Sequence, residues 1–197
     1  MAVKGQRIVK YVDGNMVDYT IYELVDPYDK ILWTKTEPFD FTRPPIHPGQ
    51  LATSLLHTMA KYGGVGLSAN QVGLPYRVFV MGHGNTFFCC FNPEIIESIG
   101  ESDKYSEGCL SYPGLFLKVK RATKVKLRWT DENRQQREET FDGFTARVIQ
   151  HEMDHLDGTC FTKKVSPVKL QQAKDKIRIQ KRRARDAEKL ERMAQKA

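Results

Sequence analysis

Apolar positions recur with two different periods along this chain. Leu51, Leu55 and Met59 return every fourth residue, which predicts a helix over about 47–61 with one buried stripe. Pro48 suits its first turn, and Gly63 and Gly64 stop it. A second helix is predicted over about 143–157. There Phe144, Val148, His151/Glu152 and His155 share a face, Ile149, Met153 and Leu156 extend the buried side, and Gly158 stands where a C-terminal cap belongs. Between the two helices the period drops to two. Strands are predicted over 77–81, 87–91 and 94–99. Alternation follows at Leu115, Leu117, Val119 and again at Val125, Leu127, Trp129, then a polar turn near 131–134 and a strand near 136–141. Short alternating segments of this kind predict antiparallel sheet with one wet face. Residues 64–73 and 104–114 read as loops, and 23–46 are broken by Pro27, Pro38, Pro44 and Pro45. The first 22 residues are compatible with a hairpin about Asp13-Gly14. A long polar helix over 168–196 has one thin seam, Leu170, Ala173, Ile177, Ala184 and Ala187, enough for weak docking or none. The predicted class is α+β: antiparallel β-sheets packed around a central helix, with a C-terminal basic helix. The predicted organisation is an extension (1–22), a catalytic body (23–165) and a tail (166–197).

Composition narrows the classes. With 197 residues, 40% hydrophobic, 28% charged and a mean hydropathy of −0.52, the chain has the make-up of a soluble globular domain. No apolar run approaches the roughly 20 residues that span a bilayer, and the start, MAVKGQRIVK, lacks an apolar signal core. A cytoplasmic location is expected, or a compartment carrying bacterial-type translation. Cys89, Cys90, Cys109 and Cys160 are too few and too irregular for a disulfide framework. The net charge of +7 is concentrated: residues 166–197 hold eleven Lys/Arg and four Asp/Glu, and the remainder balances. Such a tail suits a polyanion such as RNA, and equally a solvated helix that keeps the protein soluble. Neither a membrane nor a specific DNA partner is expected.

The stretch QHEMDHLDG, 150–158, carries the chemistry. Histidines four apart on a helix, with Glu152 beside the first, read as two metal ligands and a general base. The same pattern also occurs in buried helices whose histidines are only hydrogen-bonded. A catalytic site needs a third protein ligand and an open position. The metzincin protease pattern demands His at 161, where this chain has Phe161. Glu188 and Glu191 lie in the basic tail, a poor place for a buried ligand. Cys89 and Cys90 sit in the apolar run FFCCF, as ordinary core thiols do. Cys109, in the polar loop EGCLS (107–111), is the best third ligand available. A non-enzymatic alternative stays open: Cys109, His151, His155 and Cys160 as a closed structural zinc site beside an RNA-binding tail. A metallopeptidase sharing the same helix is the other rival.

Three stretches together, GVGLSANQ (64–71), EGCLSYPG (107–114) and QHEMDHLDG, resemble the signature motifs of peptide deformylases, in order and at similar spacing, over roughly residues 23–175. The resemblance implies removal of the N-formyl group from the initiator methionine of new polypeptides, releasing formate. It implies Cys109, His151 and His155 as ligands of one divalent metal, commonly Fe²⁺, with Zn²⁺ or Ni²⁺ replacing it in a preparation. Metal-bound hydroxide would attack the formyl carbon with Glu152 as general base and acid. Gln71 and the Leu110 backbone N–H would hold the oxyanion. Val65 and Gly66 would bind the peptide, and Gly108, Leu110 and Val148 would line the methionine pocket. Glu107 reads as a polar tether. In bacterial members a basic C-terminal helix docks on the ribosome, a role the tail can take. One departure stands out: Ser68 occupies a position where the family's motif usually has Ala.

Overall fold

The computed structural model describes residues 3–12, 14–83 and 86–194. Strands β1 (Gly5–Val12) and β2 (Asn15–Tyr22) form an antiparallel hairpin, with Val12 opposite Asn15 and Gly5 opposite Tyr22. Gly14 sits in the turn at φ +79, and Asp13 lies outside the described residues. The hairpin is fastened to helix α1 (Pro48–Lys61). The amide N–H of Thr20 donates to Ser54 Oγ at 2.9 Å and that of Tyr22 to Thr58 Oγ1 at 3.0 Å, so hydroxyls on the helix satisfy strand donors.

A five-stranded antiparallel sheet runs in sequence order through β3 (Gly66–Ser68), β4 (Val78–His83), β5 (Thr86–Glu107), β6 (Leu117–Thr130) and β7 (Gln136–Asp142). Helix α1 covers one side of it. There Leu51, Leu55 and Met59 pack on Leu67, Val78, Val80 and Phe91. Helix α2 (Gly143–Leu156) covers the other, with Ile149, Met153 and Leu156 against Phe79, Leu127 and Trp129. Each such fully buried Leu contributes about 1.5–3 kcal/mol by leaving water. Because β4 and β5 are covered on both faces, alternate residues enter different cores: Cys89 joins the α1 side and Cys90 the α2 side. That is why FFCCF is a continuous apolar run, and the expectation of one wet face fails for these strands.

Four predicted boundaries are corrected. The runs at 87–91 and 94–99 belong to one 22-residue strand, β5, whose register shifts between Phe91 and Glu94, Ile95 and Glu97, and Ile99 and Ser102. The bulges reset the alternation and disguise the continuity. Residues 104–107, expected as loop, are the end of this strand. The alternating runs at 115–120 and 123–129 are likewise one strand, β6, with Leu115 just outside it. The expected loop at 64–73 contains β3 and a 3-10 turn, Ala69–Val72, closed by Gly73 at φ +85.

The end of α2 is set by Gly158 at φ +69, where a Cβ would sit 2.7 Å from the backbone of Thr34 and Lys35. Phe144, expected on the buried face of α2, is 58% exposed, in the first turn of the helix at the wall of a cavity. Helix α3 (Pro167–Ala194) docks by its first turns only. Leu170, Ala173 and Ile177 pack on Leu115, Leu117, Val119 and Phe161, while Ala184 and Ala187 are exposed beyond the platform.

Candidate metal centre

Two elements bring the candidate ligands together. Strand β5 ends at Glu107, and the chain turns so that Cys109 O accepts the N–H of Tyr112 at 2.9 Å. Helix α2 carries His151 and His155 one turn apart, with ring centroids 5.1 Å from each other. Cys109 Sγ lies 3.2 Å from His155 Nε2, and one donor atom from each of Cys109, His151 and His155 falls within 4.8 Å of the others. Bonds of about 2.0–2.3 Å at the tetrahedral angle put donor atoms roughly 3.3–3.6 Å apart, so this set fits one small ion with modest contraction. A thiol and two imidazoles are donors suited to Zn²⁺, Fe²⁺ or Ni²⁺.

Cys160 is the test of a fourth protein ligand. Its Sγ lies 3.7 Å from Nδ1 of His155, whereas Cys109 faces Nε2 of the same ring. An ion held by Cys109 and His155 Nε2 is on the wrong side of the imidazole for Cys160. A closed four-ligand site is therefore not what the geometry favours.

Behind the ligands lies a buried polar clamp. Glu107 Oε1 accepts from Arg121 Nε at 2.9 Å and Arg147 Nη1 at 2.8 Å. Its Oε2 accepts from Arg121 Nη2 at 2.8 Å and faces His151 Nδ1 at 3.1 Å. Arg121 also pairs with Asp154 at 2.7 Å, and Arg147 pairs with Asp103. A carboxylate on Nδ1 fixes that nitrogen as the N–H and leaves Nε2 as the metal-facing donor. Burial alone would raise the Glu107 carboxyl, but Arg121, His151 and Arg147 outweigh it and hold it down at about 2. Burial would lower His151, yet its contacts with Cys109 and Glu107 and the charge of Glu152 push it up to about 10. His155 goes the other way: burial, then the charges of His151 and Arg121, push it well below its ordinary value.

Glu152 is 3% exposed, and burial raises its carboxyl against the opposing pull of His151 and Ser68. Its Oε2 accepts from Ser68 Oγ at 2.7 Å. Its Oε1 faces Gly66, where any Cβ would collide with the carboxylate and with Val148. Gln71 is held by its own oxygen, which accepts the Ser68 N–H at 2.9 Å. That leaves Nε2 to donate to Ser111 Oγ at 3.0 Å, 3.6 Å from Cys109 Sγ. Among the described residues no acceptor lies against the Leu110 N–H.

The site opens on a cavity of about 480 Å³. Val65, Gly66, Gln71, Gly108, Cys109, Leu110, Val148, His151 and Glu152 line it, and fully buried His155 lies behind His151. Each residue expected to act in catalysis, substrate binding or metal ligation is at the cavity or, for His155, directly beneath it. Sequence reasoning missed Arg147 and Phe116, which also line the wall, and placed Phe144, a third wall residue, in the core instead. Arg147 had a readable signal, since it stands four residues before His151 on the same helix face. Phe116 had none.

Comparison with known proteins agrees with this geometry. Residues 21–171 match the family model described as polypeptide deformylase. The peptide deformylase of Thermotoga petrophila is 43% identical over 115 residues, 58% of this chain and 70% of that protein. That of Hyphomonas neptunium is 41% identical over 139 residues, 68% of this chain and 79% of that one. The crystal structure of a peptide deformylase from Synechococcus elongatus in complex with actinonin superposes with a TM-score of 0.73 at 34% identity. It covers 78% of this chain and 84% of that chain. The Thermotoga maritima structure gives 0.68 at 35% identity over 75% and 99%. With the family match spanning most of its length, the chain belongs to the polypeptide deformylase family.

Proposed function

We propose that this protein removes the formyl group from the N-terminal formyl-methionine of newly made polypeptides, with one divalent metal held by Cys109, His151 and His155. The observation that carries the reading is the cluster of one thiol and two imidazoles beside Glu152, at the wall of a single cavity. When bound, such a metal lowers the pKa of water enough to make it a nucleophile near neutral pH. Iron(II) is the ion proposed in the cell, with zinc or nickel as replacements in a preparation.

Glu152 takes a proton from the attacking water on Oε1 and later passes it to the departing amine, so formate and a free N-terminus leave. As negative charge develops on the formyl oxygen, Gln71 Nε2–H and the Leu110 N–H donate to it. One such donor contributes about 2.7–4 kcal/mol. The substrate backbone lies along Val65 and Gly66. β3 is the edge strand of its sheet, and an extended peptide adds there as a further strand. Gly108, Leu110 and Val148 receive the methionine side chain.

Residues 23–165 form the catalytic unit in this reading, and 1–22 an extension fastened to it. The tail from 166 serves ribosome docking near the emerging substrate. No described helix is long and apolar enough to cross a membrane. The deciding experiment is formate release from formyl-Met-Ala-Ser by the metal-loaded protein and by Glu152→Ala. The variant should keep its metal and lose about 10²–10⁴ in rate. Amino-acid release without formate would mark a peptidase instead and sink the reading.

A further inference from the structure

Ser68 is completely buried, and its two hydrogen-bond donors reach two different side chains of the site. The backbone N–H holds Gln71 Oε1 at 2.9 Å, a bond any residue but proline would make. The hydroxyl is what the serine side chain adds. It lies 2.7 Å from Glu152 Oε2 and 3.1 Å from the Glu152 carbonyl oxygen. A serine hydroxyl has one proton to give, and the nearer acceptor is also the charged one, which makes the stronger bond.

The terminal torsion of a glutamate is soft and roughly two-fold, so nothing intrinsic distinguishes its two oxygens. Here they are made different. Oε2 is tied to Ser68, and Oε1 is left against Gly66 on the cavity side. We infer that Ser68 is a positioning residue for deformylation, its hydroxyl pinning Oε2 so that Glu152 works through Oε1 alone. This rests on the role proposed above for Glu152. The hydroxyl keeps donating to Oε2 after Glu152 has accepted the water's proton. The acquired proton is therefore confined to Oε1, on the side from which the leaving nitrogen must collect it. Without the hydroxyl the carboxylate can rotate, and the proton can end on the oxygen that faces the protein.

The test compares metal-loaded wild type, Ser68→Ala and Ser68→Thr with formyl-Met-Ala-Ser. The alanine variant should fold, since the family motif that this chain resembles usually carries alanine here. It should keep one metal per chain and a KM within about twofold, while kcat falls about tenfold. That loss is smaller than the roughly 100-fold that an ångström of misplacement can cause. Threonine, which restores the hydroxyl, should recover most of the loss. A crystal structure of metal-loaded Ser68→Ala should show the Glu152 carboxylate rotated or in two conformations, a readout independent of turnover. A kcat within twofold of wild type, or a loss that follows metal content or KM, overturns the inference. If wild type itself releases no formate, the proposed function fails instead, so the two failures are distinguishable.

Discussion

Replacing Glu107 by Gln isolates the charge of the clamp behind the metal ligands while keeping its size. The carboxylate receives four contacts from three side chains, Arg121, Arg147 and His151, and its own side chain is 5% exposed. An amide supplies one acceptor oxygen and one NH₂ group. Whichever way it lies, a donor then faces buried donors, either Arg121 with Arg147 or Arg121 with His151. Removing one partner of a buried ion pair costs about 3–5 kcal/mol, because the other charge stays buried. Linkage gives an independent figure. The carboxyl is held at about 2 against an ordinary 4.5. A pKa depressed in the folded state adds stability that is fully present above about 4.5 and is lost as pH falls toward 2. The gap is worth about 3 kcal/mol, or roughly 2–3 after allowing for residual water access.

The assay is urea unfolding of metal-free wild type and Glu107→Gln at several pH values, with metal affinity measured by competition with a chelator. At pH 7 the variant should be about 3 kcal/mol less stable, and the difference should shrink as pH falls below 4.5 because only wild type has a carboxylate to lose. Losing the partner that orients His151 should weaken metal binding about 10–100-fold. A stability difference that is constant from pH 7 to pH 3, or metal affinity within twofold of wild type, would refute the clamp as the cause.

Two further outcomes follow from packing. Cys160→Ala should keep one metal per chain and formate release within about twofold, losing only about 1 kcal/mol of stability, because the thiol faces the wrong nitrogen of His155. Loss of the metal would restore the four-ligand alternative. Truncation after Val165 should lower the melting temperature by uncovering Leu117 and Phe161, whereas truncation after Lys181 keeps the Leu170–Ala173–Ile177 seam and should leave it unchanged. The shorter deletion should still weaken ribosome co-sedimentation in a salt-dependent way, since it removes six basic residues, and unchanged binding would count against the docking role.

The parts of the fold legible in the sequence are those with an uninterrupted period. The two core helices have apolar stripes and glycine stops, and both lie within a residue or two of where the pattern put them. Strand β5 was not legible as one element, because Asn92 at φ 50 and Gly100 at φ 77 accompany bulges that shift its inward positions. The site divides in the same way. His151, Glu152 and His155 are local, and a four-residue spacing displays them. Cys109 is legible through its polar setting and through the failure of other candidates. The partners that orient these groups are not local: Arg147 meets Glu107 from 40 residues away, and Ser68 meets Glu152 from 84. No periodicity carries such pairings, because they depend on where β3 and the end of β5 meet α2.

The two arginines of the clamp also bear on the charge balance of the site. Arg121 and Arg147 are both committed, one to Glu107 and Asp154, the other to Glu107 and Asp103. Among the described residues no Lys or Arg pairs with Glu152, although it is buried. A metal-ligating Cys109 would add a second anion as a thiolate. A buried Glu152 carboxylate beside a thiolate is unfavourable unless positive charge is supplied next to them. In the metal-free protein the contacts with Cys109 and Glu107 and the charge of Glu152 outweigh burial and push the His151 imidazole up to about 10. In the proposed function, a divalent ion held by Cys109, His151 and His155 would supply that positive charge. Glu152 can then stay ionised, as the proposed proton transfer requires. The clamp keeps the neighbouring arginines occupied, so neither supplies that charge in the metal's place.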